Sequence, residues 1–142
     1  MSANYDKVVH LSFIRDEIKN AAENSLSCKK WVLTLLSAMI VVCSTEKIPS
    51  GNNIMLTLAS TMFIMICSFW YLDAEYERRR MKLEKLYDYV CIEDDSSLLY
   101  DISTEKFRDK VSGEIPIMLS FRNSVIYIPL LVLVYSVIKY LE

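Results

Sequence analysis

An uncharged segment, Ile54–Leu72, runs directly into the densely charged segment Asp73–Lys82, and this junction constrains the fold more than any other feature of the chain. As a helix rising about 1.5 Å per residue, the uncharged segment is long enough to cross the hydrocarbon core of a bilayer. No glycine or proline lies between Ile54 and Val90. One helix is therefore predicted to leave the membrane and continue into water.

Two further apolar segments are candidates for membrane spans. Trp31–Thr45 is short and opens on an aromatic residue suited to the membrane interface. Ser124–Leu141 is predicted either to span the bilayer or to pack against the bundle at the membrane surface. The chain has only 2 glycines and 3 prolines, which argues against turn-rich β structure. The predicted fold class is an all-α membrane protein with two to three transmembrane helices and long cytoplasmic helical extensions.

The predicted organisation has four parts. Residues 1–30 form a cytoplasmic amphipathic helix, and residues 31–72 form a transmembrane hairpin that turns at Glu46–Asn53. Residues 73–123 form a cytoplasmic helical region, and residues 124–142 form a transmembrane or membrane-associated helix. Apolar residues recur at helical spacing along the first part, at Leu11, Ile14, Ile18 and Ala22.

Within the third part, a polar run at Glu93–Ser97 is predicted to end the extension of the second span. Ser103 or Thr104 is predicted to cap a short helix that runs through Val111 and stops at Gly113. The apolar segment Ile115–Phe121 is expected in the membrane interface.

The positions of the basic residues predict the orientation in the membrane. With a cytoplasmic N-terminus, all 16 lysines and arginines except Lys47 and Lys139 lie inside. Cytoplasmic loops carry an excess of Lys and Arg, so this orientation is favoured. We expect the protein in a bacterial inner membrane.

A basic and aromatic face follows the second span. On a helical wheel the residues Tyr71, Arg78, Lys82, Lys85 and Tyr89 share this face, together with Glu75. Cations contact phosphates and aromatic rings stack on bases, so one interpretation is a site for a phosphorylated ligand. The other is a solvated face that sets topology and meets anionic lipid headgroups.

The other two faces of this helix are apolar and acidic. The apolar face is predicted to pack on the N-terminal helix as an antiparallel hairpin, and it holds Leu72, Tyr76, Leu83, Leu86, Tyr87 and Val90. The acidic face holds Asp73, Glu77, Glu84 and Asp88. Arg79 falls among the apolar positions. It is expected to reach lipid phosphates, to pair with an acid of the first helix or to contact the ligand.

Each of the first two spans carries a stripe of hydroxyl and small side chains. The stripes comprise Thr34, Ser37, Val41 and Ser44 on the first span, and Thr57, Thr61, Ile64 and Ser68 on the second. Such stripes allow close helix packing, with hydroxyls bonded to carbonyls four residues back. The alternative is a pore lining in an oligomer. Neither span contains a charge, which disfavours ion-coupled transport but not a hydrophobic gate.

Catalytic, metal and cofactor sites are not predicted. The chain has no glycine-rich phosphate loop, its only histidine is His10, and its 4 cysteines form no CxxC pair. We therefore expect a protein that is not an enzyme.

The stretch Phe69–Arg80, continued by Leu86–Asp88, resembles the second-helix signature of small bacterial membrane proteins with SLATT-like architecture. These proteins are effectors of antiphage defence, and the membrane effectors of Hailong systems are similar to this chain. The segment Tyr100–Phe107, followed by Ser120–Phe121 and Tyr127, is also similar in order and spacing. The resemblance covers roughly residues 30–140 and rests on no catalytic motif.

The resemblance implies a function that the periodicity alone does not show. Members of this group are thought to form homo-oligomers, four subunits being the expected number, that disrupt or conduct across the inner membrane. A nucleotide or single-stranded DNA oligomer made by a partner nucleotidyltransferase controls them. The expected ligand-binding residues are Arg78, Arg79, Lys82, Lys85, Tyr71 and Tyr89. The alternative hypothesis is a non-conducting membrane anchor that recruits a cytoplasmic protein.

The predicted topology is testable by cysteine labelling from outside the cell, in a background free of the native cysteines. A membrane-impermeant reagent should modify a thiol at Asn52 and spare one at Lys82, because the turn of the hairpin faces outward and the segment after the second span faces the cytoplasm. Labelling of position 82 with protection of position 52 contradicts the orientation.

Overall fold

The structure is a computed structural model that describes residues 2–45, 52–92 and 103–141, and this part of the chain is helical with short connections. Helix α1 spans Ser2–Thr45 and α2 spans Asn52–Ile92. A 3₁₀ helix, Glu105–Lys110, and the five-residue helix α3, Glu114–Met118, lead to α4, Phe121–Leu141. Residues 46–51 and 93–102, including the predicted breaker Glu93–Ser97, lie outside the described residues.

Helices α1 and α2 pack as a long antiparallel hairpin. Their lengths of 44 and 41 residues correspond to roughly 66 and 61 Å. A bilayer core is about 30 Å thick, so a helix of this length extends well beyond it. The prediction that α2 continues unbroken past Leu72 is confirmed, and α1 likewise passes residue 30 without a break. Each helix thus has a polar half (residues 2–30 and 73–92) and an apolar half (31–45 and 52–72).

The apolar halves share a core with α4. Val32 and Leu36 of α1 meet the buried seam of α2, to which α4 adds Val134 and the fully buried Tyr127. The ring of Tyr127 stacks on Trp70, with centroids 5.5 Å apart and an interplanar angle of 11°. The third apolar segment is therefore an integral part of the bundle.

The polar halves form a second core, as the helical wheel predicted, with one correction. Leu83, Leu86 and Val90 are buried, and Ile14 of α1 packs in the cluster with Leu86 and Val90. Leu72 was assigned to the same face, but this is wrong because its side chain is exposed. The helix turns about 100° per residue, so Leu72 points away from the seam that runs through the neighbouring Asp73.

The connection to α4 differs in detail from the prediction. The capped helix expected from Ser103 or Thr104 is a 3₁₀ helix, and no side-chain hydrogen bond from Thr104 caps it. It ends at Lys110, and Val111 is extended. The buried ring of Phe107 packs with Ile14, Leu86 and Val90, which holds this short helix against the hairpin.

Helix α4 begins earlier than the predicted boundary at residue 124. Asn123 Nδ2 donates to the carbonyl of Ile117 at 3.2 Å, and Ser124 Oγ donates to that of Met118 at 3.3 Å. These bonds tie the first turn of α4 to the end of α3, and α4 then continues through Pro129.

Apolar side chains also cover the outer surface of the bundle, and α1, α2 and α4 are each long and apolar enough to cross a membrane. Exposed residues on this surface include Trp31, Leu33, Val41, Leu56, Phe63, Ile64, Leu119, Phe121, Val125, Val132 and Tyr135. Exposed apolar surface of this extent is typical of contact with lipid or with another chain.

Two isoleucines of α2 distinguish the core from this outer surface. Ile66 is fully buried and Ile64 is 63% exposed. Ile66→Ala should lower the free energy of unfolding by roughly 1–2 kcal/mol, less than in a water-soluble core because lipid is as apolar as the protein contact. Ile64→Ala should stay within about 0.5 kcal/mol of the parent. Denaturation of both variants in mixed micelles checks this, and equal losses would contradict the packing.

Candidate functional site

The segment Trp70–Arg80 of α2, termed the junction segment, lies where the apolar half of the hairpin meets the polar half. Its successive turns contact the three other α-helices of the described chain. Asp73 contacts α1, Arg78 contacts α3 and Glu77 contacts α4. The small side chain of Ala74 is fully buried against Val111 and Ile117. Any group bound here is therefore in a position to influence all the helices.

The carboxylate of Asp73 is fully buried at the centre of this segment. Its Oδ1 accepts hydrogen bonds from Ser25 Oγ at 2.5 Å and from Lys29 Nζ at 2.6 Å. Lys29 also donates to Ser25 at 2.9 Å, which closes a three-membered polar cluster. The other oxygen, Oδ2, has no hydrogen-bond partner among the described residues. A buried charge needs a partner of opposite charge, which Lys29 supplies here, so the cluster locks α1 to α2 at one register.

Two further hydrogen bonds, one at Trp70 and one at the preceding residue Phe69, hold this part of α2 to the helices that follow it. Trp70 Nε1 donates to the carbonyl of Met118 at 2.9 Å. The hydroxyl of Tyr127 donates to the carbonyl of Phe69 at 3.3 Å, and it also lies close enough to Asp73 to interact with its charge. The apolar core and the polar cluster are thus adjacent.

Glu77 carries a second buried carboxylate one turn beyond Asp73. Arg122, at the start of α4, forms an ion pair with Glu77. Arg80 lies 3.5 Å from the same carboxylate, and its Nε donates to Glu84 at 2.9 Å. The helical wheel placed Asp73 and Glu77 on a plain acidic face, but the fold buries both.

A cleft of about 280 Å³ opens beside the junction segment, between α2, the start of the 3₁₀ helix and the start of α3. We term it the junction cleft. Its lining residues are Glu75, Arg78, Arg79, Lys82, Leu83, Thr104 and Glu114. Three of the predicted ligand-binding residues therefore come together in one place, accompanied by two acids that the prediction did not include as site residues.

Acids of other helices already pair with both arginines of the junction cleft. Arg78 forms an ion pair with Glu114, the first residue of α3. Arg79 Nη2 lies 2.9 Å from an oxygen of Glu17 on α1, which confirms the predicted pairing with an acid of the first helix. The Arg79 side chain is nevertheless 60% exposed, so it is not buried among the apolar positions. No ion pair joins Lys82 to an acid within the described ranges.

The carboxyl of Glu114 is held in its charged form. A hydrogen bond from its own backbone N–H lowers its pKa, and the Arg78 guanidinium and the Lys82 ammonium lower it further. The ion pair between α2 and α3 therefore persists to a lower pH than an isolated carboxyl would allow.

The remaining predicted ligand-binding residues lie outside the junction cleft. Lys85 is exposed further along α2, and Tyr71 is about half exposed at the end of the apolar half. The ring of Tyr89 meets the edge of Phe107, with centroids 5.8 Å apart. Tyr89 is thus engaged within the fold rather than presented for stacking on a base.

Both hydroxyl stripes lie on the outside of the single chain. Thr34, Ser37 and Val41 are exposed on α1, and Thr57, Thr61, Ile64 and Ser68 are exposed on α2. Hydroxyls of Thr34, Ser37, Thr61 and Ser68 donate to the carbonyl four residues back, at 2.8–2.9 Å. The predicted back-bonding is confirmed for these four. The side chain of Ser44 lies outside the described residues.

Sequence reasoning overlooked the Ser25–Lys29–Asp73 cluster. The available signal was the seven-residue spacing of Ile14, Ala21 and Cys28 in α1, because it places Ser25 in the same seam. The structure buries all four residues. Within the described residues, no three His, Cys, Asp or Glu side chains come together in an arrangement that would hold a metal ion.

Comparison with protein-family models, with curated protein sequences and with solved structures gives no match. The residues and contacts of this chain therefore carry the functional argument.

The buried ion pair predicts unequal costs for neighbouring lysines. Lys29→Met leaves Asp73 buried without its cation and should lower the free energy of unfolding by about 3–5 kcal/mol. Adding Asp73→Asn should restore most of this loss, because no unpaired buried charge remains.

Lys30→Met is the matched control, since Lys30 is exposed and should change stability by less than about 0.5 kcal/mol. Denaturant titration in mixed micelles measures these three variants and Asp73→Asn alone. Equal losses for Lys29→Met and Lys30→Met, or additive losses in the double variant, would contradict the role given to the pair.

Proposed function

We propose that this protein is a membrane effector of bacterial antiphage defence: a homo-oligomeric pore of the inner membrane, gated by an anionic nucleotide or a single-stranded oligonucleotide. The polar halves of α1 and α2 then lie in the cytoplasm. The resemblance to SLATT-like effectors motivates the defence role, the partner nucleotidyltransferase and the expectation of four subunits.

The outward position of the two hydroxyl stripes is the observation that carries the pore. Packed side chains fill the space between α1, α2 and α4, where Leu36, Met62 and Ile66 are almost completely buried. In the described part of one chain, the helices therefore pack directly on one another rather than around a lumen. Several copies arranged around an axis bring one stripe from each chain to a common lumen, whose weakly polar wall suits a gate that opens by wetting.

A rigid connection between the junction cleft and the stripe supports gating. Ser68 and Arg78 belong to the same uninterrupted helix and are separated by about 15 Å along its axis. A ligand that binds one position of α2 more tightly than another shifts the equilibrium between closed and open pores. Ligand and pore then communicate through displacement of one helix.

Charge and shape in the junction cleft favour recognition of phosphate groups over stacking on bases. Arg78, Arg79 and Lys82 meet there, and arginine contacts a phosphate through two parallel hydrogen bonds. Of the two candidate stacking residues, only Tyr71 has a substantially exposed ring, and it lies outside the cleft. Affinity for such a ligand should therefore fall steeply as salt concentration rises.

A second function, a non-conducting anchor for a cytoplasmic partner, is favoured by one observation. Val8, Val9 and Phe13 expose large apolar side chains on the polar half of α1. Apolar groups that face water away from the membrane are typical of a docking surface. The two functions differ in whether purified protein conducts ions.

Ion flux through proteoliposomes tests the pore directly. Thr61→Trp places a bulky side chain on the second stripe, and Ser37→Trp places one on the first stripe. The variant whose stripe lines the lumen should lose most of its ion flux. Phe63→Trp is the control, because Phe63 is exposed on α2 beside the stripe rather than on it. Flux should also respond to an added single-stranded oligonucleotide.

The pore is contradicted if the parent protein conducts no ions with or without the oligonucleotide. It is also contradicted if both stripe variants conduct like the parent at matched protein levels. Wild-type conduction by the variants together with loss of partner capture on Phe13→Ser would favour the anchor.

A further inference from the structure

The ion pair between Arg78 and Glu114 fills the place in the junction cleft where an anionic ligand would bind. Glu114 is the first residue of α3, and its carboxylate reaches Arg78 across the cleft. Arg79 is likewise paired, with Glu17 of α1, whereas Lys82 carries no such pair within the described ranges. An incoming anion therefore meets one available ammonium and two guanidinium groups already bound to carboxylates.

Arg78 is incompletely satisfied by this partner. Its side chain is mostly buried, and its Nε has no hydrogen-bond partner among the described residues. A guanidinium has five donors, and a buried donor without an acceptor costs free energy. A phosphate group presents more acceptor oxygens and more charge than a carboxylate, so it can satisfy Arg78 more fully than Glu114 does.

We infer that Glu114 is a built-in occupant of the junction cleft, and that a ligand carrying phosphate groups replaces its carboxylate on Arg78 and thereby releases the start of α3 from α2. This inference rests on the cleft of the proposed function and names how that cleft is regulated. The event that starts the release is the loss of one contact between charged groups.

The contacts that remain define the resulting movement. The far end of α3 stays attached to α2, because Trp70 donates to the carbonyl of Met118 and Ile117 packs on Ala74. The start of α3 has the Arg78–Glu114 pair as its charged contact with α2. Loss of that pair lets α3 pivot about its own C-terminal end, which only two residues separate from α4. The movement thus reaches the third candidate span.

Phosphate groups can come from a soluble ligand or from a lipid headgroup, since the cleft lies about one and a half helical turns beyond Leu72. Both sources use the same chemistry. They differ in whether an anionic lipid competes with a soluble polyphosphate.

The experiment measures binding of tripolyphosphate by calorimetry to the full chain in phosphatidylcholine nanodiscs. Glu114→Gln removes the competing carboxylate and should raise affinity about three- to tenfold, because the partly exposed ion pair with Arg78 no longer has to be broken. Glu75→Gln is the matched control: it removes the same charge from the same cleft, but no ion pair joins Glu75 to a described residue. It should raise affinity less than about twofold, since its effect is screened by salt.

The position of α3 is monitored through the distance between spin labels that replace Ile115 and Lys85 in a cysteine-free background. Both residues are exposed. Tripolyphosphate should change this distance in the parent. Glu114→Gln should show the changed distance without ligand, and Glu75→Gln should not. In nanodiscs with added phosphatidylglycerol, weaker tripolyphosphate binding identifies a lipid headgroup as an occupant, and unchanged binding identifies a soluble ligand.

Equal effects of Glu114→Gln and Glu75→Gln on affinity overturn the inference, as does an unchanged label distance on saturation. The inference is also overturned if the parent does not bind tripolyphosphate. It is overturned as well if Lys82→Glu binds tripolyphosphate as tightly as the parent. The proposed pore can fail separately from this inference. If Glu114→Gln shows higher affinity and a changed label distance but no variant conducts ions, Glu114 is displaced by phosphate in a protein that is not a pore.

Discussion

The buried carboxylate of Asp73 is the constraint on which the rest of this structure depends. It lies at the point where α2 passes from apolar to charged sequence, and Ser25 and Lys29 of α1 satisfy one of its oxygens. A slip of α1 by one turn would leave this charge without a cation in a site closed to water. The register of the 44-residue helix α1 against α2 therefore follows from one polar cluster as well as from the apolar seams on either side.

Because of helical periodicity, the junction segment connects α2 to the three other α-helices. Successive side chains point about 100° apart, so Asp73, Glu77 and Arg78 reach three different helices from little more than one turn. Interfaces of this kind switch between discrete arrangements rather than deform continuously. A contact exchanged at one of these residues can therefore shift the positions of helices that have little contact with each other.

Different interactions stabilise the two halves of the hairpin. In the polar half, burial of Ile14, Leu86, Val90 and Phe107 removes apolar surface from water. In the apolar half, the stack of Trp70 on Tyr127 and hydrogen bonds to main-chain carbonyls hold the helices together. Such close packing also stabilises helices in a bilayer, where lipid is as apolar as the contact it replaces. The exposed hydroxyls of the stripes bond within their own helices, which leaves their surfaces available for lipid or for another chain.

The sequence alone determined the three apolar helices, the continuity of α2 past Leu72 and the packing of Leu86 and Val90, because hydropathy, helical periodicity and the lack of breakers are local properties. Only the tertiary structure decided which charges are solvated. Asp73 and Glu77 fit an acidic surface pattern equally well, yet α1 and α4 cover them. The partner of Arg78 is 36 residues away at the start of α3, and no periodicity predicts a contact made by a chain that folds back. Partnering and burial of charges are properties of packed helices, so the candidate site became visible only in three dimensions.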